Sequence, residues 1–360
     1  MKKRWFTWIW KGIVSILLLI SLSVMVIWFT PTLKLQAFKW VFESSERQTL
    51  VELEQNKIDF SHVNVERDIP YRQTGNQGHL LDIYRPKKEV TTKPLIINIH
   101  GGGLFASYKE TNLKFNLEFV KRGHTVVNVS YRLIPESTFW HQIDDIMTAY
   151  RYLVTHQDSL NLNLDQVYVV GDSAGALLSL MSTAINSSPE LQETFNMPQT
   201  GLTIRGLGLI SIMLDNQRQD IMSLINDYIV TDEDKKRPSL AYLLNPSSII
   251  EKAELPPVYL ITSEEDLIQS DTLKLEKLLK ENHVPYKVSR QFSTQEVQVI
   301  ALPLLVSMQM SMSVKFGPLS RDKRCAKHLA KQLLKMVVSQ NLLPLSLVSC
   351  LSLETVKRTP

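Results

Sequence analysis

Short, almost continuous apolar runs alternate with stretches of helical period over most of the chain. HLLDIYRP (79–86), PLIINIH (94–100), HTVVNVSY (124–131), QVYVV (166–170), GLTIRGLGLISIM (201–213), PPVYLITSEED (256–266) and YKVSRQF (286–292) read as strands. Gln142–Thr155, ALLSLMSTAI (176–185) and TLKLEKLLKEN (272–282) place apolar residues three and four apart and read as helices. Strands that are apolar on both faces must be covered on both, so this alternation predicts an α/β fold with a mainly parallel sheet flanked by helices. No segment of 20 to 50 residues recurs, which sets repeat architectures aside.

A different pattern opens the chain. Lys2, Lys3, Arg4 and Lys11 precede eighteen uncharged residues, 12–29, with Trp10 and Trp28 at their ends. As a helix this run is about 27 Å long, close to the roughly 30 Å of a bilayer's hydrocarbon layer. The run ends in bulky VIWF, without the small-residue pattern of a cleavable signal. It therefore predicts a transmembrane anchor of signal-anchor type. The basic flank places residues 1–11 in the cytoplasm and the body outside, a single-pass membrane protein. The organisation expected is a tail and anchor over 1–30, a linker or cap helix over 31–57, an α/β body over 58–335 with a cap insertion at 214–246, and an atypical C-terminal tail over 336–360.

The 360 residues carry 40 Lys plus Arg and 36 Asp plus Glu, a net charge of +4. Six bases and no acid lie in the first 42 residues, so the body is close to neutral and offers no concentrated basic face for nucleic acid. Cys325 and Cys350 are too few for a disulfide scaffold and match no zinc spacing.

The chemical signal is Gly171-Asp172-Ser173-Ala174-Gly175, between the strand VYVV and a helix. Glycines two residues either side of a serine let strand and helix close into a sharp turn that holds the hydroxyl outward, as a nucleophile elbow requires. A serine hydroxyl needs a base and an acid that orients the base. His100-Gly101-Gly102-Gly103 ends another strand and exposes backbone N–H groups, so Gly101, Gly102 and Ala174 are the expected oxyanion-hole donors. His100 opens this turn as a loop-fixing residue. A phosphate-binding loop is disfavoured, because neither GKS/GKT nor GxGxxG is present; no cofactor and no metal are expected. Asp266 follows the strand VYLIT at the sheet edge where open parallel sheets assemble their sites, and is the expected acid, with Glu264 and Glu265 as competitors. Asp144, Asp145 and Asp172 are read as structural, Asp172 as a brace of the elbow.

With HGGG at 100–103, YRLIPES at 131–137, Asp144-Asp145 and GDSAG at 171–175, residues 60–295 resemble the α/β-hydrolases, in particular the hormone-sensitive-lipase-like esterases and lipases. The resemblance implies a serine carboxylic-ester hydrolase working through an acyl-enzyme on a small ester or lipid-like substrate, with Ser173 as nucleophile and Asp266 as triad acid. A peptidase or amidase is the lesser enzymatic alternative.

The chain departs from that pattern where the family places its histidine, some thirty residues beyond the acid: SRQFSTQEVQVIAL holds none. Only His283 and His328 follow Asp266. His283 is expected at the opposite sheet end from Ser173, and His328 lies in a basic helix-like stretch. The composition changes at the same place, with no charge over 297–314 or 336–353; a reading frame disturbed after residue 295 would explain both. The expectation is thus of an esterase whose activity is in doubt for want of its histidine, the alternative being an impaired, membrane-tethered relative or interaction domain.

Overall fold

The computed structural model describes residues 30–55, 57–88, 93–215, 225–264 and 266–291, with isolated positions between 15 and 26. The chain divides into two compact units, Met1–Met308 and Gln309–Pro360, and the described residues all belong to the first. His328 and the 336–360 tail lie outside them.

Helix α1 (Pro31–Glu54) leads into β1 (Val63–Pro70), β2 (Leu80–Pro86), β3 (Leu95–Ile99), α2 (Leu113–Lys121), β4 (Val126–Val129), α3 (Phe139–Thr155), β5 (Val167–Asp172), α4 (Ala174–Ser187) and α5 (Pro189–Phe195). Then follow β6 (Ile204–Ile210), α6 (Asn226–Ile229), α7 (Leu240–Leu244), β7 (Val258–Ser263), α8 (Gln269–Glu281) and β8 (Tyr286–Gln291). The strands form one eight-stranded sheet in the order β1-β2-β4-β3-β5-β6-β7-β8. β1 and β2 run antiparallel to their neighbours, whereas β4, β3 and β5 to β8 are mutually parallel. Every residue of β3 and β7 is buried, which explains their unbroken apolar runs. One apolar core holds Ile97, Ile99, Val169, Leu207 and Leu260 with Leu177 and Met181 of α4; a second holds Ile96, Val170 and Ile261 with Phe119 of α2. The α/β class and the helix-flanked, mostly parallel sheet expected from the sequence are thus present.

The membrane anchor is corrected. Most of residues 12–29 lie outside the described residues, and among those that are described no helix is long and apolar enough to cross a membrane. The longest described helix, α1, has the length at 24 residues but carries Lys39, Glu43, Arg47, Glu52 and Glu54, each of which hydrocarbon would exclude. The transmembrane helix, the membrane as a partner and the single-pass localisation with a cytoplasmic N-terminus are therefore not supported by any helix among the described residues.

α1 instead packs on the body. Leu35 is buried, Phe38 stacks on Phe105 at 5.4 Å, Glu43 accepts from Ser107 N at 3.3 Å, and Glu52 pairs with Lys114 at 2.5 Å. All three of these partners lie in the segment that follows the glycine turn after β3. The stretch expected as a cap insertion contains α6 and α7, of which Ile229 and Leu243 join the main core.

Candidate active site

Parallel strands bring their C-terminal ends to one edge, and the register aligns those of β3, β5, β6 and β7. Ile99 faces Gly171, Asp172 faces Ile210, and Ile210 faces Ile261. The glycine turn, Ser173 and Asp266 thereby leave the sheet from the same edge.

At Ser173 the backbone turns from β5 into α4 with φ 51° and ψ −116°, a left-handed value that costs a non-glycine residue about 1–3 kcal/mol and persists only where its surroundings impose it. Here they do. Ser173 N donates to Ile210 O at 2.8 Å, and Met213 N donates to Ser173 O at 3.1 Å. The flanking glycines are required by contact. A Cβ on Gly171 would lie 2.5 Å from the Gly175 backbone, and one on Gly175 would lie 2.2 Å from Ile99 O and 2.4 Å from His100 O. Helix α4 can therefore start directly above β3 and β5, with buried Ala174 as its first residue.

The glycine turn is held by its neighbours. His100 is buried, stacks on Tyr131 at 4.4 Å and places Nδ1 2.8 Å from Gly101 O; burial pushes its imidazole down to about 4. The Tyr131 hydroxyl donates to His100 O and Gly101 O at 2.9 and 3.1 Å. His100 is thereby occupied as a brace. Gly102 has φ 104°, and a Cβ there would meet Ala106 O at 2.1 Å, so only glycine fits. Of the expected oxyanion donors, Gly101 N–H is already spent: it donates to Asp172 Oδ1 at 3.0 Å, and Asn112 Nδ2 donates to the same oxygen at 2.7 Å. Desolvation pushes the Asp172 carboxyl above the usual carboxylate range in spite of these two bonds.

Asp266 accepts from Thr262 Oγ1 and Ile268 N, each at 3.0 Å, which fixes its carboxylate just beyond β7. Glu264 is exposed and Glu265 lies outside the described residues. His283 is exposed, with φ 55°, between α8 and the start of β8. It therefore sits at the opposite end of the parallel strands from Ser173.

The expectation of an enzyme lacking its histidine is corrected by a pair that a search downstream of the acid does not reach. His79 and Asp145 are both buried, and His79 Nε2 lies 3.1 Å from Asp145 Oδ1. The fold joins them across 66 positions, from the start of β2 to the middle of α3. Thr74 Oγ1 contacts the other ring nitrogen, and Asp145 also accepts from Arg132 through Nε at 2.9 Å, Nη2 at 2.8 Å and the backbone N at 3.1 Å. Burial would raise the Asp145 carboxyl, but the bonds from His79 and Arg132 and the Arg132 charge outweigh it and hold it below the usual range. Asp144 binds Arg72 at 2.8 Å, a second tie of α3 to the loop before β2. No local motif announces the His79–Asp145 pair; the one sequence signal was Asp144-Asp145 following YRLIPES.

Among the described residues no group of three His, Cys, Asp or Glu side chains is arranged to hold a metal ion.

The BD-FAE family model matches residues 81–276, more than half of the chain, from β2 into α8. An acetyl esterase of Salmonella dublin is 23% identical over 222 residues, 56% of this chain and 64% of the relative. Versiconal hemiacetal acetate esterase of Dothistroma septosporum is 27% identical over 224 residues, 57% and 66% of the two chains. The chain thus spans slightly less than two thirds of the length of these relatives. Among solved structures, esterase B from Lactobacillus rhamnosis inhibited by a tributyrin phosphonate superposes with a TM-score of 0.69 at 24% identity, covering 78% of this chain and 96% of that one. A Pyrobaculum calidifontis esterase superposes at 0.59 with 19% identity, covering 76% and 93%. At these identities the structural likeness is one of fold, the α/β-hydrolase fold of esterases and lipases.

Proposed function

We propose that this chain, which belongs to the BD-FAE family, is a serine carboxylic-ester hydrolase of the hormone-sensitive-lipase-like type, acting on a small ester through an acyl-enzyme. The observation that carries the reading is Ser173 itself, held at positive φ on a strand-to-helix turn whose two glycines admit no Cβ. The acetyl and acetate esters in the relatives' names support a short acyl group.

In this reading Ser173 Oγ attacks the ester carbonyl, and the N–H groups of Gly102 and Ala174 receive the developing oxyanion while Gly101 N–H keeps the loop on Asp172. The C–O bond to the alcohol breaks, the alcohol leaves with a proton, and water then hydrolyses the Ser173 ester. The Ser173 proton passes to an imidazole oriented by a carboxylate. Asp266 is the proposed acid at the sheet edge. His79–Asp145 is a histidine–carboxylate pair already formed at the start of β2, which lies three strands from β5 in the sheet order.

A fluorophosphonate probe is expected to label the wild type and not Ser173→Ala, with p-nitrophenyl acetate turned over and the matching anilide spared. Labelling that survives Ser173→Ala removes the serine from the mechanism. His79→Ala, assayed below its unfolding transition, reads the pair: kcat/KM falls by orders of magnitude if His79 takes the proton, and little if the pair only holds Arg132.

A further inference from the structure

Asp172 is the last residue of β5 and the one before the nucleophile, yet its carboxylate points away from the chemistry and into the junction with β3. A single oxygen, Oδ1, accepts both Gly101 N–H and the Asn112 amide. The fit is tight, since a Cβ on Gly101 would lie 2.3 Å from Asp172 Oδ2 and 2.9 Å from Asp172 O. Asn112 sits at the start of α2, sixty residues from Asp172 in sequence, and the segment before it is tied down from several sides. Ser107 Oγ donates to Thr111 Oγ1 at 2.9 Å, and Asn128 Nδ2 donates to Lys109 O at 2.6 Å. Lys109 Nζ pairs with Asp68 at 2.9 Å, Asp82 at 3.1 Å and Glu110.

We propose that Asn112 is a positioning residue of the Ser173 site: through Asp172 Oδ1 it fixes Gly101, and with it the donors of the glycine turn, against the nucleophile elbow. The inference rests on the esterase reading above. It explains why a desolvated carboxylate is retained beside the serine with no cation among the described residues bound to it. The groups acting on Asp172 are hydrogen bonds from Asn112, Gly101 and its own backbone. Ionisable side chains on the neighbouring elements include His100 at the end of β3, braced on Tyr131, and Lys109 and Glu110 ahead of α2, with Lys109 paired to Asp68, Asp82 and Glu110.

Because neutral donors alone compensate Asp172, the Asn112 amide sets both its position and its protonation, and this gives a readout that a merely structural residue would not move. Asn112→Ala removes the side-chain donor to Asp172, so kcat on p-nitrophenyl acetate is expected to fall about 10- to 100-fold with KM little changed, as for a small misplacement of catalytic groups. The acid limb of its kcat profile is expected to move to higher pH. Asn112→Asp, of nearly the same shape, sets two carboxylates against each other, and such a pair retains one proton. Its activity is expected to be low near pH 8 and to recover toward pH 5, opposite in slope to the wild type.

Circular dichroism and the thermal midpoint establish that each variant is folded; if Asn112→Ala is not, the reversed slope of Asn112→Asp decides alone. A uniform loss in both variants with the wild-type pH profile overturns the positioning role. So does wild-type kcat in both. In these cases the wild type still hydrolyses ester and labels at Ser173, whereas a folded wild type that does neither overturns the esterase reading and this inference together.

Discussion

Asp145→Ala should be among the most destabilising single changes in the described structure. The Asp145 side chain is 0% exposed and that of Arg132 22%, so deletion leaves a mostly buried guanidinium without its carboxylate. Removing one partner of a buried pair costs about 3–5 kcal/mol, and partial exposure of Arg132 argues for the lower end. The deletion also strands His79 Nε2 and Arg132 N, for roughly 1 kcal/mol more. A total of about 4 kcal/mol is expected, which for a domain of this size lowers Tm by about 8–16 °C. Equilibrium urea unfolding followed by tryptophan fluorescence measures it, and Asp145→Asn, which keeps the shape and one acceptor, should lose about half as much. The pH dependence has a defined sign. Because the folded carboxyl is held below its ordinary value of 3.8, its contribution is fully present above that pH and is lost as pH falls through the folded value. The gap between wild type and Asp145→Asn should therefore be constant near neutrality and close in acid. A loss below about 1 kcal/mol at pH 7, or a gap that widens in acid, would refute the account.

Gly175→Ala should abolish ester hydrolysis and lower the yield of folded protein, since the new Cβ meets backbone oxygens of Ile99 and His100 that no side-chain motion can clear; an active, soluble variant counts against the elbow geometry. Asp266→Asn should lower kcat/KM by about 10³-fold or more with a thermal midpoint close to wild type, as expected for an acid that orients a base; wild-type turnover would remove it from the site. His100, pushed down to about 4, should show no titration near 6.5 in its NMR ring resonances. The unfolded chain then binds the extra proton, so His100 contributes to loss of stability as pH falls from about 6.5 to 4, and a midpoint at 6.5 would show its burial to be misjudged.

The parts of this architecture legible in the sequence are those in which a local pattern has a single physical solution. β3 and β7 read as strands because both faces are buried, and the glycines at 171 and 175 read as an elbow because each must pass a neighbouring backbone. β1 was less visible: it is an edge strand, Val63 is its one fully buried residue, and its register shifts between Glu66 and Ile69. Hydropathy over residues 12–29 spoke for an anchor, but hydropathy measures composition, and no helix of the described residues matches it in both length and apolarity. The glycine turn announced that a backbone must approach something closely, without saying which N–H group would be consumed on the way. The polar pairs carried no local signal. His79 meets Asp145 across 66 positions and Asn112 meets Asp172 across 60, and a lone histidine or asparagine looks the same in sequence whether it is paired or solvated.

Asp145 and Asp172 are the same residue type, both withdrawn from water near loops that shape the site, and they are shifted in opposite directions. Their partners account for the difference. Asp145 has a guanidinium in bidentate contact, and a full positive charge outweighs desolvation; Asp172 has an amide and a peptide N–H, whose partial charges do not. The first carboxylate stays ionised until strong acid and acts on stability, tying α3 to the Arg132 loop. The second lies closer to protonation at working pH, and losing its charge weakens its hold on both the peptide beside the proposed oxyanion site and the strand end that carries Ser173. Acid should therefore impair catalysis before it unfolds the protein, with the first effect governed by the Asn112–Asp172–Gly101 junction and the second by the Arg132–Asp145–His79 cluster.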